Sequence, residues 1–412
     1  MFSSLSRRLA LLAVMASLGL VGCLDSSETK IDDQGTSNSQ FNWVLPAYVP
    51  RPVEPDFNPM TEDKFQLGRH LFYDERLSAG GNISCASCHH QDKAFADGRV
   101  VPIGTHGESH RRNAQALVNP AWFATLNWGN PVTDTLERQI EGPLFGDDPH
   151  EHGINDTNRE AILADLLADP TYTALFSAAF PNESAEWNYN HIIFALASFT
   201  RGMVSYSSPY DTYLAENNIQ AISVSARRGM DLFNSERLEC FHCHGGYNFS
   251  NSVMDRSRNF PERNFHNTGL YNLAGSGNYP VGNTGIHDLT GDIRHMGQFR
   301  TPTLRNIALT APYSHDGSHA TLKEIIATYA AGGRHITSGV YVGDGRLNPN
   351  KDGFIAGFSL NAQEEKDLIA FLCSLTDEAF TTNPRLSNPW PDENGNPRPA
   401  PINPGVPKQC LQ

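Results

Sequence analysis

The chain has 412 residues, with 31 basic against 45 acidic side chains and a formal charge of −14 when histidine is neutral. That length is enough for two domains with real cores. The acidic balance argues against a nucleic-acid partner and for a neutral or locally basic protein surface.

Residues 1–22 read as a leader. Arg7 and Arg8 precede Leu9 to Val21, an apolar run too short to span a bilayer comfortably. Leu20-Val21-Gly22-Cys23 resembles a bacterial lipobox, so Cys23 is expected to carry lipid and become the new N-terminus; a stray Cys after an ordinary signal is the alternative. Leu24 stands where an acidic residue would favour retention at the inner membrane. The expected location is therefore the periplasm, anchored to the outer membrane. Loss of the leader leaves 29 basic against 45 acidic residues, a formal charge of −16.

Residues 23–55 form a tether and lead-in segment, polar and short-sided over 24–40. Beyond it the pattern is helical with long loops. Helices are predicted over Thr61 to Tyr73, Asn158 to Ala168, His191 to Val204, Ser223 to Phe233, Thr321 to Ala331 and Asn361 to Leu375. Thr157 with Glu160 and Thr321 with Glu324 have capping-box spacing, and Gly332 and Gly333 stop the helix begun at Thr321. Asn264 to Gly297 reads as an extended loop, of the kind a cofactor or a function pins down. Pro384 to Pro407 is Pro-rich and is expected to run extended over the surface. Period-two alternation is nearly absent, so little sheet is expected.

Two copies of Cys-x-x-Cys-His carry the chemistry: Cys85-Ala86-Ser87-Cys88-His89 and Cys240-Phe241-His242-Cys243-His244. The two thiols are spaced to bond the two vinyl groups of one haem, and the adjoining His reaches the iron as proximal ligand. A redox pair would not need the following His twice, and zinc would need four ligands gathered from separate places. Two covalently bound c-type haems are expected. The fold expected is mainly α: two cytochrome-c-like haem domains over 56–210 and 211–383, a boundary near Tyr206 to Ile222, and a tail over 384–412. Cys373 and Cys410 are left over and are candidates for a disulfide that pins the tail, with two unrelated free thiols as the alternative.

The flanks of these motifs resemble a known family. Leu67-Gly68-Arg69-His70-Leu71-Phe72-Tyr73-Asp74 and Arg76-Leu77-Ser78 lie ahead of Cys85. Phe299-Arg300-Thr301-Pro302-Thr303-Leu304-Arg305-Asn306 is followed by Leu309-Thr310-Ala311-Pro312-Tyr313-Ser314-His315-Asp316-Gly317. Together these are similar to the bacterial di-haem cytochrome c peroxidase and MauG superfamily, over about residues 57 to 380. Asn58-Pro59-Met60-Thr61 and Gly142-Pro143-Leu144-Phe145-Gly146 look most like its MbnH-type branch. Those enzymes sit beside a copper-binding partner, MbnP, and oxidise one of its tryptophans to kynurenine.

The resemblance implies roles for single residues. The haem on Cys85, Cys88 and His89 would bind hydrogen peroxide, with Glu151 as the distal acid and Gln139 as its polar neighbour. A surface carboxylate beside Asp147 and Asp148 is the alternative for Glu151. His106 falls one residue away from the place of a His that caps the peroxide haem in the peroxidases; a solvated loop His is the favoured reading. On the second haem, held by Cys240, Cys243 and His244, the far-side ligand falls on Tyr329, where peroxidases carry Met and MauG-like enzymes carry Tyr. A thioether raises the potential and suits an electron acceptor, whereas a phenolate lowers it and stabilises higher-valent iron. Met296 is the rival ligand and a packed helix aromatic the bland reading of Tyr329. Trp128 would relay holes or electrons between the haems. Asn113 with the carbonyls of Thr310 and Pro312 would hold calcium, an all-oxygen set that suits this hard cation. His315 is a candidate lining residue of the peroxide pocket. His150, His152, His242 and His295 read as surface or core residues. The function implied is a periplasmic di-haem oxidoreductase that uses peroxide to form a bis-Fe(IV)-like state and oxidises a tryptophan of a partner protein. The alternatives are a peroxidase fed by a small cytochrome or copper protein, and a non-catalytic electron carrier.

Overall fold

Thr61 accepts a hydrogen bond from the Lys64 amide and starts α1 (Glu62–Phe72), as its sequence position leads one to expect. The computed structural model describes residues 40–183, 186–399 and 401–411. The leader, Cys23 and nearly all of the tether lie outside these residues. In chain order there follow α2 (Leu136–Phe145), α3 (Arg159–Leu167), α4 (Pro170–Ala179), α5 (Tyr189–Arg201), α6 (Pro209–Ala215), α7 (Val224–Phe233), α8 (Cys240–His244), α9 (His287–Thr290), α10 (Leu322–Ala330), α11 (Ala362–Cys373) and α12 (Glu378–Thr382). Sheet is confined to two antiparallel pairs: β1 (Phe265–His266) with β2 (Phe299–Arg300), and β3 (His335–Ile336) with β4 (Gly343–Asp344). The fold is mainly helical.

The same helix crossing is built twice. α1 packs on α5 and α7 packs on α11. A Cβ on Gly68 of α1 would lie 1.9 Å from the carbonyl oxygen of Ala195, and one on Gly229 of α7 would lie 1.9 Å from that of Asp367. In both pairs the next neighbour is a Phe four residues further on, Phe199 or Phe371, at 2.9 Å. Only a residue without a side chain lets the two backbones meet this closely. In each crossing the first helix is followed along the chain by one Cys-x-x-Cys-His motif. Around the first gathers a core containing Phe65, Leu71, Phe72, Phe95 and Phe176. Around the second lies another, with Phe233, Phe249, Leu322 and Phe371. The described residues nonetheless form a single packed unit. The buried pair of Arg305 and Asp211, 2.9 Å apart, ties α6 to the segment that follows β2.

Several local expectations need correction. The Thr157 capping box does not form: the Thr157 hydroxyl donates to Asn155 Oδ1 at 2.6 Å, and Asn158 is the N-cap of α3. A turn built by two Asn side chains wins because each satisfies backbone groups more locally than the box would. The Thr321–Glu324 box is present. The tail is not wholly a surface strand. Leu386 is buried in the first core, Arg69 donates to the Ser387 carbonyl at 2.6 Å, and the Trp390 indole donates to that of His70 at 3.0 Å. At its far end Cys410 is bonded to Cys373, and the Gln409 amide donates to the carbonyl of Ala308 and the hydroxyl of Tyr313, each at 2.6 Å. The loop over Asn264 to Gly297 is pinned from within. Asn267 bonds the Met296 carbonyl at 2.7 Å, and Tyr271, Tyr279 and Met296 form a small core with Phe299. No helix among the described residues is long and apolar enough to cross a membrane.

Gly68→Ala and Gly229→Ala are each expected to destabilise the protein by about 1–3 kcal/mol through forced separation of two helices. Denaturant titration of the holo-protein checks this; an unchanged midpoint would show that the crossings can relax.

Candidate functional site

Each Cys-x-x-Cys-His motif opens onto its own cavity. The first, of about 670 Å³, is lined by Cys85, Cys88 and His89. The second is lined by Cys240, Cys243 and His244. The His89 Nδ1–H donates to the Phe95 carbonyl at 2.8 Å, and the His244 Nδ1–H to that of Phe249 at 3.1 Å. Phe95 and Phe249 both adopt positive φ, 58° and 48°, which turns each carbonyl back onto its imidazole. With Nδ1 committed as donor, Nε2 is left as a basic lone pair, the arrangement typical of a metal-bound histidine. Burial holds both rings neutral; it pushes His244 down to about 4 and lowers His89 as well. Two thiols beside one fixed Nε2 in an apolar cavity, twice over, fit two covalently attached haems.

The first cavity also receives Gln139 from α2, His152, His110 and Glu151. The Thr105 amide donates to the Glu151 carbonyl at 2.9 Å and fixes the backbone there. The Glu151 side chain is 45% exposed, but it faces the cavity; the protein mass around it pushes its carboxyl up to about 7. His110 Nδ1 lies 3.6 Å from Glu151 Oε1, and its side chain is only 11% exposed. Burial lowers the His110 pKa. His110 carries no motif that marks it in the sequence; it lies four residues from His106, which is the solvated loop His expected. His106 is exposed, packs edge-on against His150 and does not line this cavity. His152, read as a surface or core residue, is buried, donates from Nδ1 to the Leu77 carbonyl at 2.5 Å and lines the first cavity.

Tyr329, on α10, lines the second cavity. Burial raises its pKa. Met296 does not line it, being buried with Tyr279 and Phe299 instead. His315 also belongs to the second cavity, which corrects its expected place in the peroxide pocket. Its ring is stacked 3.6 Å from that of Phe299, and this contact with β2 draws it to the far side of the wall. His242 lies outside both, 2.7 Å from Glu239 and stacked on Phe354. His150 sits 3.2 Å from Glu108 and His295 lies 3.0 Å from the Thr290 hydroxyl, neither in a cavity.

The two cavities share a wall. Trp128, Asn113, Gln115, Phe123 and Arg300 line both. The Trp128 indole N–H donates to the Asn113 carbonyl at 2.9 Å, and the Trp128 carbonyl accepts from the Arg300 amide at 2.8 Å, so both the ring and the backbone of Trp128 are held. Asn113 spends its amide N–H groups on the Arg99 and Val100 carbonyls, at 2.9 and 3.1 Å, which leaves Oδ1 over. The carbonyls of Thr310 and Pro312 accept no backbone hydrogen bond among the described residues. All three residues line the second cavity.

Known proteins are similar to this chain. Residues 62–219 match the di-haem cytochrome c peroxidase family, which includes MauG. The methylamine utilization protein MauG of Methylophilus methylotrophus is 33% identical over 81% of this chain and 88% of its own. A cytochrome-c peroxidase of Denitromonas iodatirespirans is 32% identical over 82% and 88%. A solved MauG-like protein associated with microbial copper homeostasis is 50% identical, with a TM-score of 0.83 over 85% of this chain and 99% of that one. The chain therefore belongs to the di-haem cytochrome c peroxidase and MauG family and is an oxidoreductase with two c-type haems.

Cys85→Ala and Cys240→Ala are each expected to remove one thioether bond. Under denaturing conditions the intact mass of each variant should differ from the parent's only at its own haem peptide. A parent chain that carries a single covalent haem would contradict the assignment of both motifs.

Proposed function

We propose that this protein takes oxidising power from hydrogen peroxide at the first site and delivers it through the second to a tryptophan of a separate, copper-binding protein. The observation that carries the reading is Tyr329 on the wall of the second cavity, with no methionine lining that cavity. The 50% identity to a MauG-like protein associated with copper homeostasis supports the class of partner. Bound in the cavities, the haems would accept the two oxidising equivalents of one peroxide and hold them.

The chain's own residues do the rest. A carboxyl with a pKa near 7 is poised to take a proton from one peroxide oxygen and return it to the other, the leaving one. Gln139 supplies an amide to orient the incoming molecule, and His110 stands against the carboxylate as a second proton carrier. Trp128 couples the sites because it lines both cavities. A phenol donor at the second site stabilises the oxidised state that a thioether would discharge. Asn113, Thr310 and Pro312 hold calcium beside the shared wall and stiffen it. Cys23 anchors the protein by lipid to the outer membrane, facing the periplasm, where the disulfide of Cys373 and Cys410 would persist.

The second reading is peroxide removal with electrons from a small cytochrome, supported by the relatives that are cytochrome-c peroxidases. One experiment separates the two: holo-protein, peroxide and a purified copper-binding partner, against holo-protein, peroxide and reduced cytochrome c. Kynurenine in the partner, found by peptide mass spectrometry, is expected. Steady cytochrome oxidation with an unmodified partner would replace this reading by the peroxidase one. Tyr329→Phe is expected to shorten the life of the peroxide-oxidised state; an unchanged lifetime would remove Tyr329 from its role.

The pH dependence has a definite sign. Below about pH 7 Glu151 is protonated and cannot accept a proton, so the rate with peroxide should rise with pH, half-maximal near 7. Glu151→Gln should flatten that profile and slow the reaction by about 10²–10⁴-fold.

A further inference from the structure

Among the described residues three arginine side chains are almost wholly buried: Arg201, Arg300 and Arg305. Two have a carboxylate within reach. Arg201 lies 2.7 Å from Glu137, and Arg305 lies 2.9 Å from Asp211. Arg300 has none. It is 4% exposed, and its guanidinium lies over the Phe123 ring at 4.0 Å from the centroid. Nη2 donates to Gln115 Oε1 and Nη1 to the Thr301 carbonyl at 3.2 Å, both neutral acceptors. Nε is buried with no acceptor at all. A buried cation without a counter-charge costs far more than a paired one. Burial accordingly drags the Arg300 pKa down to about 9.

The position of this charge says what it is for. Arg300 lines both cavities and is joined through its backbone to Trp128. One face of the guanidinium is covered by Phe123, and its planar fork presents the geometry that a carboxylate accepts. Each haem carries two propionate carboxylates, anions of the kind this planar fork accepts. His315 adds a second orphan on the same side, since its buried Nε2 has no partner either.

We propose that Arg300 is an anion site on the wall between the two cavities and binds a haem propionate there, so that its charge raises the reduction potential of the haem it grips. This rests on the presence of two haems and not on which substrate is oxidised; its failure leaves the proposed function standing. A positive charge beside a propionate favours the reduced iron, whose site carries one positive charge fewer.

The test is spectropotentiometry of the intact holo-protein with Arg300→Gln and Arg300→Lys. In Arg300→Gln one haem should become easier to oxidise by about tenfold in its one-electron equilibrium, or about 59 mV, the scale expected for a unit charge acting through a protein interior. Arg300→Lys should recover most of that shift. The haem that moves identifies the propionate's owner: the His89 site or the His244 site. Potentials unchanged at both sites in Arg300→Gln would overturn the proposal. Should Arg300→Gln fail to mature, resonance Raman of the parent and Arg300→Lys reads the propionate bending modes directly. A changed mode at one haem supports the contact, and identical modes overturn it.

Discussion

A single wall, built from Phe123, Trp128 and Arg300, bounds both cavities, and the rest of the chemistry depends on it. Oxidising equivalents generated on one side can be held on the other only if the material between conducts them and keeps its geometry. Trp128 is fixed by two hydrogen bonds, from its indole N–H to the Asn113 carbonyl and from the Arg300 amide to its own backbone carbonyl. The loop that supplies Trp128 and the strand that supplies Arg300 are thereby locked to each other.

On each side of that wall stands the same construction. A glycine lets two helices cross in backbone contact, a Cys-x-x-Cys-His turn follows, and a Phe carbonyl in a left-handed conformation orients the histidine. What differs is the far side of each cavity. The first offers a carboxyl with a raised pKa, an amide and a half-hidden imidazole. The second offers a phenol and no thioether. On the proposed reading, proton transfer belongs to the first set and storage of oxidising power to the second. The two cavities differ in these residues, while the Cys-x-x-Cys-His halves are nearly interchangeable.

Much of this was legible in the sequence, because the motifs are short and covalent chemistry fixes their spacing. Cys85 to His89, Cys240 to His244 and the helices that start at Thr61, Thr321 and Asn361 need only local rules. The misses are of another kind. Asn155 and Asn158 outcompete the Thr157 box through contacts that spacing alone does not rank. His315 stacks on Phe299 and so faces the second cavity, a fact set by β2 and invisible in its own segment. His110 and Arg300 draw their meaning from burial and from the partners they have or lack. α2 escaped notice since Pro143 interrupts its pattern, yet it brings Gln139 to the first cavity.

The central claim is that the two sites act as one oxidising unit across their common wall. Freeze-quenched EPR of the resting protein mixed with one equivalent of peroxide tests it most directly. The account predicts that the resting signals of both haems fade together in a single kinetic phase. Loss of signal confined to the His89 site, with the His244 site unchanged while oxidising equivalents persist, would contradict it.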